Sequence, residues 1–202
     1  MTPEMVLERL KSGNKRFVRN DMTPYNYMSK RELSAADQHP LAIILSCVDS
    51  RSIPDLIFDQ GLGNIFVARV AGNVTNQDML GSEEFATKYA GAKVIVVMGH
   101  TGCGAVQGAC KGVGEGNLKA LLDKIKPAVS KISEGKNVDC NSASKVNQIA
   151  KQNVINQVNA TYENSVTIKK LVDDHQVLLE GAMHDLATGK VDFFYQYPVK
   201  AL

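Results

Sequence analysis

Two short stretches carry the residue types that do chemistry. The first, LAIILSCVDSR, spans Leu41–Arg51; five apolar residues end abruptly in Ser46, Cys47, Val48, Asp49, Ser50 and Arg51. The second, VIVVMGHTGCG, lies about fifty residues on and turns from Val94–Met98 straight into Gly99, His100, Thr101, Gly102, Cys103 and Gly104. Apolar runs of this length with polar punctuation have the pattern of buried strands. Open parallel sheets bind ligands at the carboxyl ends of their strands. One such end offers Cys47 and the other His100 and Cys103, which together make a Cys₂His set. That set is one of those used by catalytic zinc, three protein ligands with a fourth position left open. Glycines at 99, 102 and 104 free the second turn to adopt unusual dihedrals close to a metal. A helix predicted from about residue 105 places Cys103 near its start, where the helix dipole favours a thiolate.

Asp49 and Arg51 stand two apart beside Cys47. The plain alternative for such a pair is a surface ion pair or a strand-end cap. The functional reading is that Arg51 keeps Asp49 ionised and oriented. The carboxylate then either accepts a hydrogen bond from a metal-bound water or fills the open position itself, so Asp49 is a candidate both as catalytic residue and as metal ligand.

The elements that must position these groups follow from pattern and punctuation. Thr2 caps a first helix with Pro3 at its first position, and Gly13 interrupts its periodicity. A polar stretch with a short helix over 29–36 leads to the strand 41–46. A helical turn over 54–60, a strand over 64–67 and a loop over 71–76 come next. Asn76 caps a helix over 77–89 that Gly91 stops before the strand 94–98. Helices follow over 105–111, 118–132 (with Pro127 a break or kink), 146–162 and 166–174. Two strands over 177–182 and 191–195 are joined by a turn. Strand–helix–strand alternation implies an α/β fold with a central, mostly parallel sheet flanked by helices. Residues 1–40 form an N-terminal helical arm, and 202 residues suit one domain.

A net charge of +2 with no basic block gives no argument for nucleic acid or a membrane surface, and no apolar run is long enough to cross a bilayer. The first residues lack the basic–apolar–small layout of a secretion signal, although a chain from which a leader had been removed would look the same. Four cysteines without a close CxxC pair do not form a disulfide framework, so a reducing compartment, the cytoplasm, is expected. Cys110 and Cys140 are expected as bystanders, Cys110 as a packed thiol on the face of Cys103. His39, His175 and His184 have no sequence support as proton carriers. The glycines at 102, 104 and 108 miss a phosphate-binding spacing, and no GK[ST] follows.

CxDSR followed by GHxxCG resembles the β-class carbonic anhydrases, and the similarity extends along most of the chain. Leu10, Gly13, Asn14, Arg16 and Phe17 match an N-terminal helix motif of that family, and Gln38 and Pro40 precede the first strand as they do there. Phe66–Asn73 is similar to its FVxRNAGN, with Val70 in place of Asn. Gly81, Ser82, Glu84, Phe85 and Ala86 resemble its next helix; Gly181, Ala182, His184, Asp185, Thr188 and Gly189 resemble its late strand and turn, with His184 where Tyr is common.

The resemblance implies reversible hydration of carbon dioxide to bicarbonate and a proton by one Zn²⁺ per chain. Cys47, His100 and Cys103 would hold the zinc, and a zinc-bound hydroxide oriented by Asp49 and Arg51 would attack CO₂. Gln38, Phe66, Phe85 and Gly104 would line the CO₂ pocket, some of them across the interface of a dimer, itself often paired into a tetramer. Some relatives close the site with the aspartate and keep a regulatory bicarbonate pocket built from a Trp, an Arg and a late Tyr. Here Arg69 meets Ile44 and His184 at those positions and Ser46 replaces a Gly, so an open, water-bearing zinc is expected, and Arg69 is read as structural. Two thiolates nearly cancel the charge of Zn²⁺, so activity is expected to rise toward alkaline pH. Two other readings stand beside this one. One is the same fold acting on carbon disulfide or carbonyl sulfide. The other is a metal-free cysteine nucleophile, with His100 as base for Cys103, or a non-catalytic zinc protein.

Overall fold

The computed structural model describes residues 1–198. Its centre is a five-stranded sheet in the order β2-β1-β3-β4-β5. The strands are β1 (Ala42–Ser46), β2 (Ile65–Arg69), β3 (Val94–His100), β4 (Leu178–His184) and β5 (Val191–Tyr197). The first four pair in parallel and β5 runs antiparallel to β4. Every residue of β1 and β3 is buried, which explains why both read as unbroken apolar runs.

Alternation of side chains sends these strands into two cores. Ile43, Leu45, Ile95, Val97 and Leu179 face a helical layer that contributes Val106, Ile125, Ile149, Val154 and Ile168. Ala42, Ile44, Val94, Val96 and Met98 face the other side, where they meet Val6, Leu7, Leu10, Ile57 and Phe58. The first layer is built from α4 (Gln77–Glu84), α5 (Gly104–Lys111), α6 (Gly116–Asp123), α7 (Lys126–Ser133), α8 (Ala143–Glu163) and α9 (Val166–Asp173). The opposite face is covered by α1 (Pro3–Val18) and α3 (Pro54–Ile57), and α2 (Tyr27–Ser34) has no buried residue.

Local chemistry sets the boundaries. Thr2 and Asn76 accept backbone N–H groups at the starts of α1 and α4, as the sequence predicts. Pro127 falls in the first turn of α7 and separates it from α6. The helix expected over 77–89 is divided; α4 ends at Glu84 and continues as a wider π-helical turn over Phe85–Tyr89.

Two expectations are corrected. Gly13 does not interrupt α1. The helix runs through it, and a Cβ there would lie 1.8 Å from the Phe58 carbonyl oxygen, so the glycine lets α1 lie against the end of α3. The next residue, Asn14, completes the docking; its Nδ2 donates to the carbonyls of Ile57 and Gly189 and its Oδ1 accepts from Val191 N–H. Cys110 and Cys140 are not separate thiols. They form a disulfide that ties α5 to the segment before α8, with Cα atoms 5.7 Å apart. The cysteine count therefore no longer argues for a reducing compartment. Among the described residues no helix is long and apolar enough to cross a membrane.

Candidate metal centre

The parallel register sets β1 and β3 side by side, Ser46 level with Met98, so the residues that follow emerge at one edge of the sheet. Cys47 is the first residue beyond β1, His100 ends β3, and Cys103 caps α5. All three are buried, and their ligand atoms lie within 4.8 Å of one another. The two Sγ atoms are 4.0 Å apart.

The donor set passes a specific test for a metal. His100 Nδ1 sits 3.0 Å from the Thr101 carbonyl oxygen, an acceptor, which fixes the proton on Nδ1. Nε2 is left with its lone pair, buried and, among the described residues, without a hydrogen-bond partner. A ring held by one nitrogen with the other bare is the arrangement of a metal-ligating histidine. Cys47 Sγ accepts the Gly72 N–H at 3.3 Å, from a tight turn over Ala71–Asn73 in which Gly72 takes φ 68°. That turn is held by α8, where Asn153 Nδ2 donates to the Gly72 carbonyl and Gln157 Nε2 donates to Asn153 Oδ1. Gly102 N–H donates to Asn147 Oδ1, also on α8.

The neighbouring Cys103 thiol pulls Cys47 far down from the ordinary thiol range, to about 4, against the cost of burial, and His100 and the Gly72 N–H add to the effect. Cys103 is pushed up in turn by its contact with Cys47 and by burial, although the N–H groups of Val106 and Ala105 act the other way. The helix-start N–H groups pull Cys103 toward a thiolate but are outweighed, because two thiolates this close repel unless a cation lies between them. Burial alone would lower His100; the pull of the neighbouring Cys47 sulfur raises it on balance.

Asp49 stands at the rim. Arg51 grips it twice, Nε to Oδ1 at 3.0 Å and Nη2 to Oδ2 at 2.8 Å, and the Arg51 N–H adds a third bond at 3.0 Å. This grip holds the Asp49 carboxyl well below the usual carboxylate range despite partial burial. Oδ2 is 3.9 Å from His100 Nε2. Arg69, at the end of β2, donates through Nε to the Cys47 carbonyl at 2.9 Å and through Nη2 to the Asp49 carbonyl.

The expected substrate residues are not all brought here. Gly104 follows Cys103 directly, and a Cβ there would meet nothing within 4 Å. Phe66 and Phe85 meet edge to face, centroids 6.0 Å apart, and with Ile43 and Met79 line a cleft of about 460 Å³. The cluster residues do not line that cleft, and Phe66 pairs with Ile43, three positions below Ser46. Gln38 is exposed and precedes β1, at the end of the strand opposite Cys47. Ser52 and His184 escaped the sequence reading as a pair; they are 132 residues apart, and Ser52 Oγ lies 3.1 Å from His184 Nδ1.

This fold and donor set define an α/β protein with a Cys₂His cluster able to hold a metal at the carboxyl ends of adjacent parallel strands. A family model described as carbonic anhydrase matches residues 42–191. Carbonic anhydrase 2 of Mycobacterium tuberculosis is 39% identical over 133 residues, 63% of this chain and 64% of that protein, so the chain spans 64% of that relative's length. The carbonic anhydrase of Mycolicibacterium smegmatis is 31% identical over 193 residues, 94% of this chain and 92% of that one. Among solved structures, a tetrameric beta-carbonic anhydrase from Sordaria macrospora superposes with TM-score 0.73 at 24% identity, covering 83% of this chain and 90% of that one. The chain belongs to the carbonic anhydrase family, in its β class.

Proposed function

We propose that the protein catalyses the reversible hydration of carbon dioxide to bicarbonate and a proton, with Zn²⁺ held by Cys47, His100 and Cys103. The observation that carries this reading is the bare, buried Nε2 of His100 facing two cysteine sulfurs, with a salt-bridged carboxylate at the rim. Zinc bound there would supply an acidified water as the nucleophile, less acidified than at a three-histidine site because the two thiolates offset the metal's charge.

The chain's own groups do the rest. His100 is fixed in one tautomer by the Thr101 carbonyl. The Gly72 N–H stabilises the Cys47 thiolate. Asp49 has no proton to give at working pH, so it acts as acceptor and orients the attacking water, and Arg51 keeps it ionised and turned. Both Asp49 oxygens are engaged by Arg51, which favours Asp49 beside the fourth metal position rather than filling it. Carbon dioxide has no dipole and few hydrogen-bonding options, so its pocket is apolar, which suits Phe66 and Phe85.

Gln38, Phe66 and Phe85 lie away from their own chain's cluster, which favours self-association as a dimer or tetramer in which one copy completes another's pocket. The exposed apolar side chains of Tyr27, Met28, Leu33, Phe85 and Tyr89 give such an interface its material. The relative from Sordaria macrospora is described as tetrameric.

The test is CO₂ hydration before and after removal of metal by a strong chelator. Turnover should vanish with the metal and return with Zn²⁺. Undiminished turnover in the stripped protein would overturn the reading, and zinc-dependent turnover of carbon disulfide or carbonyl sulfide in place of CO₂ would replace its substrate.

A further inference from the structure

The segment from Cys47 to Ser52 carries a metal ligand, the orienting carboxylate and its arginine, yet it is a loop outside the sheet. Loops of this kind are mobile unless tied down. One side is tied by Arg69 to the carbonyls of Cys47 and Asp49. The other side is tied, among the described residues, by one side-chain bond. Ser52 and His184 are both buried, and Ser52 Oγ lies 3.1 Å from Nδ1 of His184, the last residue of β4. The strand end is itself rigid; the His184 carbonyl accepts the N–H of Thr101, next to the ligand His100. Ser52 in turn closes the turn that carries Asp49, since its N–H donates to the Asp49 carbonyl at 3.0 Å.

We infer that Ser52 and His184 form a positioning pair that holds the Asp49–Arg51 turn against the end of β4, with Asp49 on Arg51 and off the fourth metal position. This rests on the zinc reading of the site, but the tether is a property of the chain and can be measured without metal. Removing one buried hydrogen bond of a loop frees that loop alone when the rest of the fold does not use the bond.

Amide hydrogen exchange of the full chain, metal-free and zinc-loaded, tests the pair. Ser52→Ala should speed exchange over residues 49–52 about tenfold in both forms, with β3 and β4 as protected as in the parent, and Ser52→Thr should restore protection. His184→Phe should reproduce the local loosening. In the cobalt-loaded protein, Ser52→Ala should shift the visible bands as the Asp49 oxygen reaches the metal, and adding Asp49→Asn should remove that shift. Unchanged exchange over 49–52, equal acceleration throughout the sheet, or a cobalt spectrum indifferent to Ser52→Ala would overturn the assignment. A chain that takes up no zinc would sink the proposed function, while the exchange result in the metal-free protein would still judge the tether.

Discussion

At the scale of single residues, the proposed site separates groups that would hold a metal from groups that would orient its water. Asp49 is gripped by Arg51 through three hydrogen bonds and is not part of the Cys–His–Cys cluster. Asp49→Asn should therefore keep the metal and lose the orientation, lowering kcat/KM about 10–100-fold with zinc content unchanged by elemental analysis. Loss of zinc in that variant would make Asp49 a ligand instead. Glu83 gives a second prediction, about stability. Burial pushes its carboxyl up from 4.5 to about 8, with Thr161 as a weak partner pulling the other way. The folded chain thus keeps a proton that the unfolded chain has released. The stability tied to this group is complete below the unfolded value and is lost as pH rises from 4.5 toward 8. Glu83→Gln removes this loss, so urea midpoints of parent and variant should diverge between about pH 5 and about pH 8, the variant gaining about 2–4 kcal/mol at the upper end. Parallel midpoints would contradict the burial argument.

At the scale of elements, what was legible in the sequence was whatever depends on neighbours in the chain. The two strand ends, the Asn76 cap and the Pro127 break are local, and the structure places each where its chemistry requires. Gly13 was misread because its function is a close approach to Phe58, 45 residues on, which periodicity does not contain. The Cys110–Cys140 disulfide was missed for the same reason, since a separation of 30 in sequence says nothing about a Cα distance of 5.7 Å. The bridge closes a loop running from α5 through α6 and α7, so reducing it, or replacing both cysteines by serine, should cost about 3 kcal/mol in urea unfolding. The Cys47–His100–Cys103 cluster should keep its metal through that change. An unfolding midpoint unaffected by reductant would mean the loop is held by packing alone.

At the scale of the whole molecule, the order β2-β1-β3-β4-β5 is what turns two distant motifs into one site. Adjacent parallel strands deliver Cys47 and His100 to the same edge, and α5 starting at Cys103 closes the triangle. That much of the site follows from two strand ends and a rule about parallel sheets. The pocket does not follow, because Gln38 lies at the opposite end of β1 and the Phe66–Phe85 cleft lies to one side of the cluster. Under the proposed reading a second copy of the chain would complete the pocket, and a single sequence has no pattern that reports contact between copies.

The most direct test of the account is the pH dependence of CO₂ hydration by stopped flow, with zinc quantified in the same sample. Two thiolates nearly neutralise the metal's charge, and Asp49 stays ionised throughout, so the account predicts about one zinc per chain and a rate that climbs toward alkaline pH. A flat profile from mildly acid to alkaline pH, or full zinc with negligible turnover, would contradict it.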